Sequence, residues 1–401
     1  MSTAPQLLIV GGGIGGLAAA LAVSRAGVQA RLFERAPAFG EVSAGIQLGP
    51  NATRILCGWG LERELAAAAS FPERLQIRDA VSGAELGVLP LGREAFDRYG
   101  APHATIHRAD LHRLLCAAVM SQAEVHINLA HGMDRFHDDG KAVTLTTTAG
   151  KQIEGDALLG ADGAWGRVRQ QLLGDQAPRL TGLLAYRAML NQPALPAALR
   201  GAQITVWLGP RLHVAQYPVR GGQWMSVAAI ARGQPPGDMQ TWNHDANAAA
   251  LRQAAGAVCA PLRDLLDAAP AATVNEHAWR LWPLADRAPV RSADQLARGC
   301  VALLGDAAHP MRPYLTQGAG MAIEDAAELA RALVMDVVDV PIRLLRYAQA
   351  RWQRVARVQA QSTRSGHLFH AAGLVRAGRD AAIRLLGARL LDLPWLYGER
   401  T

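Results

Sequence analysis

Short apolar runs that break abruptly into glycine set the rhythm of this chain. Leu7-Leu8-Ile9-Val10 passes directly into Gly11-Gly12-Gly13-Ile14-Gly15-Gly16. A helical spacing of small and apolar residues then holds from Ile14 to Ala26, and Gly27 turns the chain into a second strand, Gln29–Glu34. Apolar runs without polar alternation suit strands buried on both faces, so residues 6–34 predict a parallel βαβ unit. A like run far downstream, Val301-Ala302-Leu303-Leu304, enters Gly305-Asp306-Ala307-Ala308-His309-Pro310.

Between these turns the pattern changes repeatedly. Ala38–Gly49 is punctuated by glycine and reads as loop, and Pro50–Leu56 reopens a helix. Alternation over Leu75–Leu91 predicts an excursion into a second sheet. Ile106–Leu111 starts a helix that runs to about Met120, with Asp110 as its cap. Glu124–Leu129, Asp134–His137 and Ala142–Thr148 predict a meander, and Lys151–Gly160 a return to the main sheet. Ala185–Ile230 is strand-rich, with hairpins turning at Gly209-Pro210-Arg211 and Arg220-Gly221-Gly222-Gln223. A helical stretch over about Asn247–Ala268 follows. Trp279-Arg280-Leu281-Trp282 then leads back to the first lobe, and from Gln317 the chain is mostly helical. The expected fold class is α/β, with a Rossmann-like parallel sheet interleaved with a smaller lobe on a mixed β-sheet, and a helical C-terminus.

Composition narrows the function classes. At 401 residues and 50% hydrophobic, the chain can bury two modest cores. The apolar stretch Met1–Ser24 is interrupted by clustered glycines and lacks a basic start, which argues against both a membrane span and a secretory signal. Cys57, Cys116, Cys259 and Cys300 are scattered without a C-x-x-C pair, so neither a metal site nor disulfides are expected. His103, His107, His112, His126, His131 and His137 also lack ligand spacing. These features suit a bacterial-type cytoplasmic enzyme. The net charge of +7 is carried almost wholly by arginines spread without runs or interleaved aromatics. That points to small anions, such as pyrophosphates and carboxylate substrates, rather than nucleic acid. Arg346, Arg351, Arg354 and Arg357 fall largely on one side of a C-terminal helix, which reads as a solvated face or a dimer contact.

The first turn has the spacing of a dinucleotide fingerprint. Gly11 allows the tight turn, Gly13 lets backbone approach a pyrophosphate, and Gly16 lets helix and strand pack closely, with Ile14 and Gly15 opening the helix. The helix start offers free N–H groups to phosphate. Glu34, ending the second strand, is placed to bind ribose hydroxyls and repels a 2′-phosphate, which leaves FAD or NAD. In the second turn Asp306 can accept hydrogen bonds from a polyol such as a ribityl chain. Gln317-Gly318-Ala319-Gly320 opens a helix whose N-terminus suits the pyrimidine edge of an isoalloxazine. On the strand Leu212–Tyr217, two-residue alternation puts His213, Ala215 and Tyr217 on one face. There His213 and Tyr217 can bond a substrate hydroxyl or carboxylate, and His213 can take a phenolic proton.

Gly11–Gly16 with Glu34, Gly160-Ala161-Asp162-Gly163 and Gly305-Asp306 resemble, in order and spacing, the three signature motifs of single-component (group A) FAD-dependent aromatic hydroxylases. Ser43–Asn51 and Ile106–Leu111 match as well, so the resemblance covers nearly the whole chain. Within the family the chain is most similar to the salicylate, 3-hydroxybenzoate and 6-hydroxynicotinate hydroxylase branch. The resemblance implies an FAD-binding domain of residues 1–72, 101–178 and 281–345, a substrate domain of 73–100 and 179–280, and C-terminal helices over 346–401. It implies that Arg108 contacts FAD, that Glu34 holds the adenosine ribose with Arg35 beside it, and that Asp162 serves FAD and a transient nicotinamide. Arg167 and Arg169 are candidates for the phosphates of NAD(P)H. Pro313 and its loop would lie against the flavin, and Tyr314 and Met225 are candidate cavity liners. Gln47 would sit on a loop near the ring, contacting cofactor and substrate, where some relatives carry histidine.

The implied reaction is hydroxylation of a phenolic or N-heteroaromatic carboxylate in aromatic catabolism. It uses NADH or NADPH and O2, and proceeds through a flavin C4a-hydroperoxide. Rival readings are an FAD-dependent epoxidase or tailoring oxygenase of a larger polycyclic substrate, an NAD-dependent dehydrogenase, and a non-catalytic flavin-binding sensor. A homodimer is the default assembly.

Overall fold

The computed structural model describes residues 5–40, 43–174, 177–235, 237–238, 244–246, 248–272, 279–335 and 337–398. Its first sheet runs Ala297–Arg298, Val301–Leu303, Ala157–Gly160, Gln6–Val10, Gln29–Phe33, Val125–Asn128. Every pairing from Val301–Leu303 to Val125–Asn128 is parallel. Leu7, Leu8 and Ile9 are sealed on both faces, as their unbroken apolar run requires. Val10 pairs with Gly160 and Gly160 with Leu303, so the C-terminal ends of three neighbouring strands open at one edge of the sheet. Helices Ile14–Arg25 and Gly318–Leu333 pack against each other beside that edge.

The second sheet has eight strands: His244–Ala246, Trp279–Asp286, Arg179–Asn191, Trp224–Arg232, Leu212–Val219, Ile204–Gly209, Arg74–Asp79, Glu85–Pro90. Ile204–Gly209 and Arg74–Asp79 are parallel; the other pairings are antiparallel. One face, with Tyr186, Ala188, Val214, Val227 and Ala229, is buried under Leu251, Leu262, Leu265 and Leu266 of helices Ala248–Ala255 and Ala260–Ala272. Alternation sends Arg187, His213, Ala215, Tyr217 and Ala228 to the opposite face. Met225 lies in the helix-covered core, so it lines no cavity on that opposite face.

Several local expectations are corrected. Part of the expected loop Ala38–Gly49 is a strand, Gly45–Leu48, paired antiparallel with Ala104–His107. Gln47 therefore stands on a strand opposite Thr105. The helix begins at Arg108 with His107 as its cap, and Asp110 lies inside the first turn, held by Arg113 and by Arg220 at 2.7 Å. Val125–Asn128 leaves the meander and edges the parallel sheet, because its apolar side chains pack on that core. The meander instead comprises Met133–Asp138, Val143–Thr147 and Gln152–Gly155. Only Ala157–Gly160 returns to the main sheet. Asn247 lies outside the described residues, and the helical stretch after it is two helices. Trp279–Asp286 belongs wholly to the eight-stranded sheet, so residue 281 falls within a strand. Among the described residues no helix is long and apolar enough to cross a membrane.

Candidate active site

The two glycine turns meet. A Cβ on Gly15 would stand 2.7 Å from Leu304 Cδ1 and 3.5 Å from Ala322 Cβ, and one on Gly305 3.2 Å from the same Ala322 Cβ. Gly11 adopts φ 108°, and a Cβ there would strike the Ala161 carbonyl at 2.4 Å. At Gly16 a Cβ would fall 1.9 Å from the Gly11 carbonyl oxygen. Around Gly13, beyond its own chain neighbours, none of the described residues comes within 4 Å of that position. Two of the three fingerprint glycines thus answer to packing within the fold, while the third faces open space where another molecule can approach. No side chain caps the helix starting at Ile14 or the one starting at Gly318, so the first amides of both remain available to an anion or a carbonyl.

Charged groups line the same groove. Glu34 accepts the Gly12 amide at 2.7 Å and the Ala36 amide at 2.9 Å, which pins its carboxylate beside the first turn. Arg35 is exposed next to it. Asp306 is open to water yet crowded by protein, the condition of a group lining a cleft. Desolvation raises its carboxyl pKa, against the pull of His309 and Arg108. A Cβ on Gly318 would stand 4.0 Å from Asp306 Oδ1, so the late helix starts over this carboxylate. Burial lowers the Arg108 pKa, and Asp306 offsets part of that shift. This groove fits FAD: an open glycine cradle for the pyrophosphate, a carboxylate for a ribose, an acid in the cleft for the sugar-alcohol chain, and a bare helix start for the ring.

Asp162 heads a helix. Its Oδ2 accepts the Val168 amide at 3.1 Å at the head of helix Arg167–Leu173, and a Cβ on Gly166 would clash with Oδ1 at 2.1 Å. Burial pushes its carboxyl up to about 6 despite those amide bonds. Arg169 is buried and donates to the Ala308 carbonyl at 2.6 Å, which removes it from the candidates for NAD(P)H phosphates. Arg167 stays exposed, near Asp134.

The second sheet supplies the other wall. Cross-strand register places Arg187, Ala228, Ala215 and Val206 in one row. His213 and Tyr217 flank Ala215, about 13 Å apart at roughly 3.3 Å per residue. Alanines at 215 and 228 leave a shallow floor between larger neighbours. Arg187, which no motif singled out, is buried with its guanidinium 4.6 Å from the Trp282 ring centre. Burial and the nearby Arg108 bring its pKa down to about 10, with Tyr217 pulling upward. Burial pushes Tyr217 up to about 12, although Ser226 and Arg187 favour its ionised form. Strand Gly45–Leu48 crosses this wall: a Cβ on Gly45 would meet Ser226 Cβ at 2.5 Å and Tyr217 Cε2 at 2.7 Å. Two-residue alternation puts Gln47 on the same side as Gly45.

Loop 310–316 closes the gap between the walls. Gln359 Nε2 donates to the Pro310 carbonyl at 3.2 Å and Ser362 Oγ to that of Arg312 at 2.5 Å, so the long helix Val340–Phe369 holds the loop. Pro313 is exposed and Tyr314 buried, its ring 5.0 Å from that of His213. Ala319 and Gly318 are half-buried in the adjoining helix start.

Behind the groove lies a charge network that corrects the expectation of a solvated arginine face for Arg351 and Arg354, while Arg346 and Arg357 stay exposed. Arg351 is 2% exposed and donates to Glu324 at 2.8 Å and Asp325 at 2.7 Å. Arg354, 7% exposed, donates to Glu324 at 2.6 Å. Asp325 also accepts the Gly305 amide at 3.0 Å and bonds His309 Nε2 at 2.6 Å. Asn51 joins Glu324 at 2.7 Å to Gln317 at 2.9 Å. Burial pushes the Asp325 carboxyl up, but His309 and Arg351 prevail and hold it at about 2. This network fixes the second turn and the late helix relative to one another. His112 Nε2 likewise donates to the Gly12 carbonyl at 2.8 Å and steadies the first turn.

Comparison with known proteins agrees with this geometry. A family described as FAD binding domain matches residues 5–362. The chain is 35% identical over 395 residues to a 3-hydroxybenzoate 6-hydroxylase of Polaromonas naphthalenivorans, covering 98% of this chain and 95% of the relative. It is 35% identical over 363 residues to a 6-hydroxynicotinate 3-monooxygenase of Bordetella bronchiseptica, covering 90% and 91%. A salicylate hydroxylase substrate complex superposes with a TM-score of 0.82 at 25% identity, over 100% of this chain and 97% of the other. The chain belongs to the FAD-binding family of flavoprotein aromatic hydroxylases.

Proposed function

We propose that the protein hydroxylates a phenolic or N-heteroaromatic carboxylate, using NAD(P)H and O2. The observation that carries this reading is a single sheet face offering a cation, Arg187, and a neutral imidazole, His213, across an alanine floor opposite the FAD groove. FAD, when bound, supplies the redox chemistry, taking hydride from the nicotinamide and activating O2. Residues 1–72, 101–178 and 287–345 form its domain, 73–100 and 179–286 the substrate domain, the strand Trp279–Asp286 going with its sheet. Gly11, Gly13, Ile14, Gly15 and Gly16 hold the pyrophosphate, and Glu34 and Arg35 the adenosine end. Arg108 and Asp306 hold the middle of the cofactor, with Pro313, Gly318 and Ala319 beside the ring and Asp162 supporting the cradle.

Arg187 binds the substrate carboxylate. Tyr217 remains protonated below about 12 and donates a hydrogen bond, while Gln47 and Tyr314 bound the ring. Desolvation, reinforced by His370, depresses the His213 pKa well below the ordinary histidine value, so it is neutral at pH 7 and ready to take the phenolic proton. The more anionic ring is the better nucleophile.

The purified protein should be yellow, and a panel of hydroxybenzoates and hydroxypyridine carboxylates should include one that stimulates NADH oxidation and gains one oxygen atom by mass. A protein that takes up no FAD, or whose NADH oxidation no aromatic acid raises, defeats the proposal. Arg187→Met should raise KM for the carboxylate substrate by about tenfold to a hundredfold, since a hydrogen bond to a charged group contributes about 1.5–3 kcal/mol. KM for the matching phenol without the carboxylate should change little. Equal effects on both compounds would remove Arg187 from carboxylate binding.

A further inference from the structure

His213 is enclosed by three groups from the C-terminal half. Ring centres lie 5.0 Å from Tyr314, 5.6 Å from Phe369 and 5.2 Å from His370. His213 Nδ1 is 3.1 Å from His370 Nε2, and the Tyr314 hydroxyl is 3.1 Å from that same nitrogen. The pair is held at the backbone as well. His370, the residue after helix Val340–Phe369, accepts the Arg211 amide on its carbonyl at 3.2 Å, two positions before His213. One turn back, a Cβ on Gly366 would stand 2.4 Å from Tyr314 Cε2, so the missing side chain admits the tyrosine ring.

Two imidazole nitrogens that face each other share one hydrogen, so their tautomers are linked. Either His213 Nδ1–H donates to His370 Nε2, which leaves His213 Nε2 with its lone pair, or His370 Nε2–H donates to His213 Nδ1. In the second arrangement neutral His213 carries its hydrogen on Nε2 and has nothing with which to accept a phenolic proton. We propose that His370 is a positioning residue that holds His213 in the Nε2-acceptor tautomer, an inference that rests on His213 being the base. The substrate O–H bond then breaks with its electron pair left on oxygen, the proton joins His213 Nε2, and the resulting imidazolium keeps its Nδ1–H on His370. In that tautomer the Tyr314 hydroxyl, 3.1 Å away, donates to His370 Nε2 as well.

The groups around His370 also favour its neutral form. Its Nδ1 is buried without a partner among the described residues. Burial lowers its pKa, a hydrogen bond with the Arg211 backbone raises it, and the guanidiniums of Arg232, Arg312 and Arg379 lower it further. His213 and Tyr314 face it as well. Protonation of His370 reverses the shared bond, so proton uptake by His213 is fully present at neutral pH and is lost as pH falls below the ordinary histidine range.

The test uses FAD-loaded full-length enzyme and the hydroxybenzoate that best stimulates NADH oxidation. It reads kcat, KM and bound-phenolate absorbance against pH. His370→Leu removes the acceptor and should lower kcat and phenolate yield about tenfold or more, with KM and flavin content near parental. His370→Gln keeps an acceptor, Oε1, that does not titrate. It should retain at least about half the parental rate, with an acid limb displaced to lower pH. Leucine and glutamine variants that match each other, whether both parental or both impaired, overturn the inference. His213→Ala separates the two ideas: its parental behaviour would sink the base itself, while its failure beside a parental His370→Leu would sink only the positioning role.

Discussion

Glu324→Ala is expected to lower the unfolding free energy by about 3–5 kcal/mol, the cost typical of removing one partner from a buried ion pair. Glu324 is fully buried, and its loss takes a carboxylate from both Arg351 and Arg354, leaving Arg351 on Asp325 and Arg354 on the carbonyls of Trp395 and Leu396. The same substitution at exposed Arg364 should change stability by less than about 0.5 kcal/mol. Urea midpoints at pH 7 check both, and a Glu324→Ala midpoint close to the parental one would show that the network contributes little. The sign of the pH dependence follows from the depressed carboxyls. Asp325 has a folded value of about 2, below the unfolded value of about 3.9. The stabilisation is therefore fully present above about pH 4 and is lost as pH falls toward about 2.

Gly16→Ala and Gly13→Ala should part company although they lie three residues apart on one turn. At Gly16 the new methyl falls 1.9 Å from a backbone oxygen that cannot step aside, so the turn and the strand beneath it must move. Overpacking of this kind costs about 1–3 kcal/mol or more, and FAD binding should disappear with it. At Gly13, beyond its own chain neighbours, the methyl meets none of the described residues within 4 Å. That variant should melt like the parental apoprotein yet bind FAD at least about tenfold more weakly, a loss of about 1.4 kcal/mol, because the methyl takes space the diphosphate needs. Flavin fluorescence titration of the apoprotein, paired with thermal melts, separates the two. Unchanged FAD affinity in Gly13→Ala would contradict the cradle.

The parts of the fold legible in the chain are those written as local pattern. Apolar runs ending in glycine located the strands Gln6–Val10, Ala157–Gly160 and Val301–Leu303 but not Val125–Asn128, and two-residue alternation placed His213 and Tyr217 on one face. What stayed hidden depends on partners distant in sequence. Helical spacing puts Arg351 and Arg354 on a polar stripe, and nothing nearby says that Glu324 and Asp325 of another helix cover it. Glycine punctuation disguised Gly45–Leu48 because its pairing partner comes some sixty residues later, at Ala104–His107. Arg187 lies in a strand with no motif around it; a lone arginine in an otherwise apolar run was the available signal. His370 carried none, since its meaning arises where a helix end meets a hairpin.

The Gly45 crossing has a consequence for the molecule the enzyme admits. At that point the strand backbone lies directly on the side chains of Ser226 and Tyr217, with the Gly45 amide donating to Ser226 Oγ at 3.2 Å. Residue 45 therefore works as a shim of zero thickness. Each carbon added there would press on Ser226 and on the Tyr217 ring, shifting the very donor that faces the substrate, which makes the position a dial for how that guest is seated.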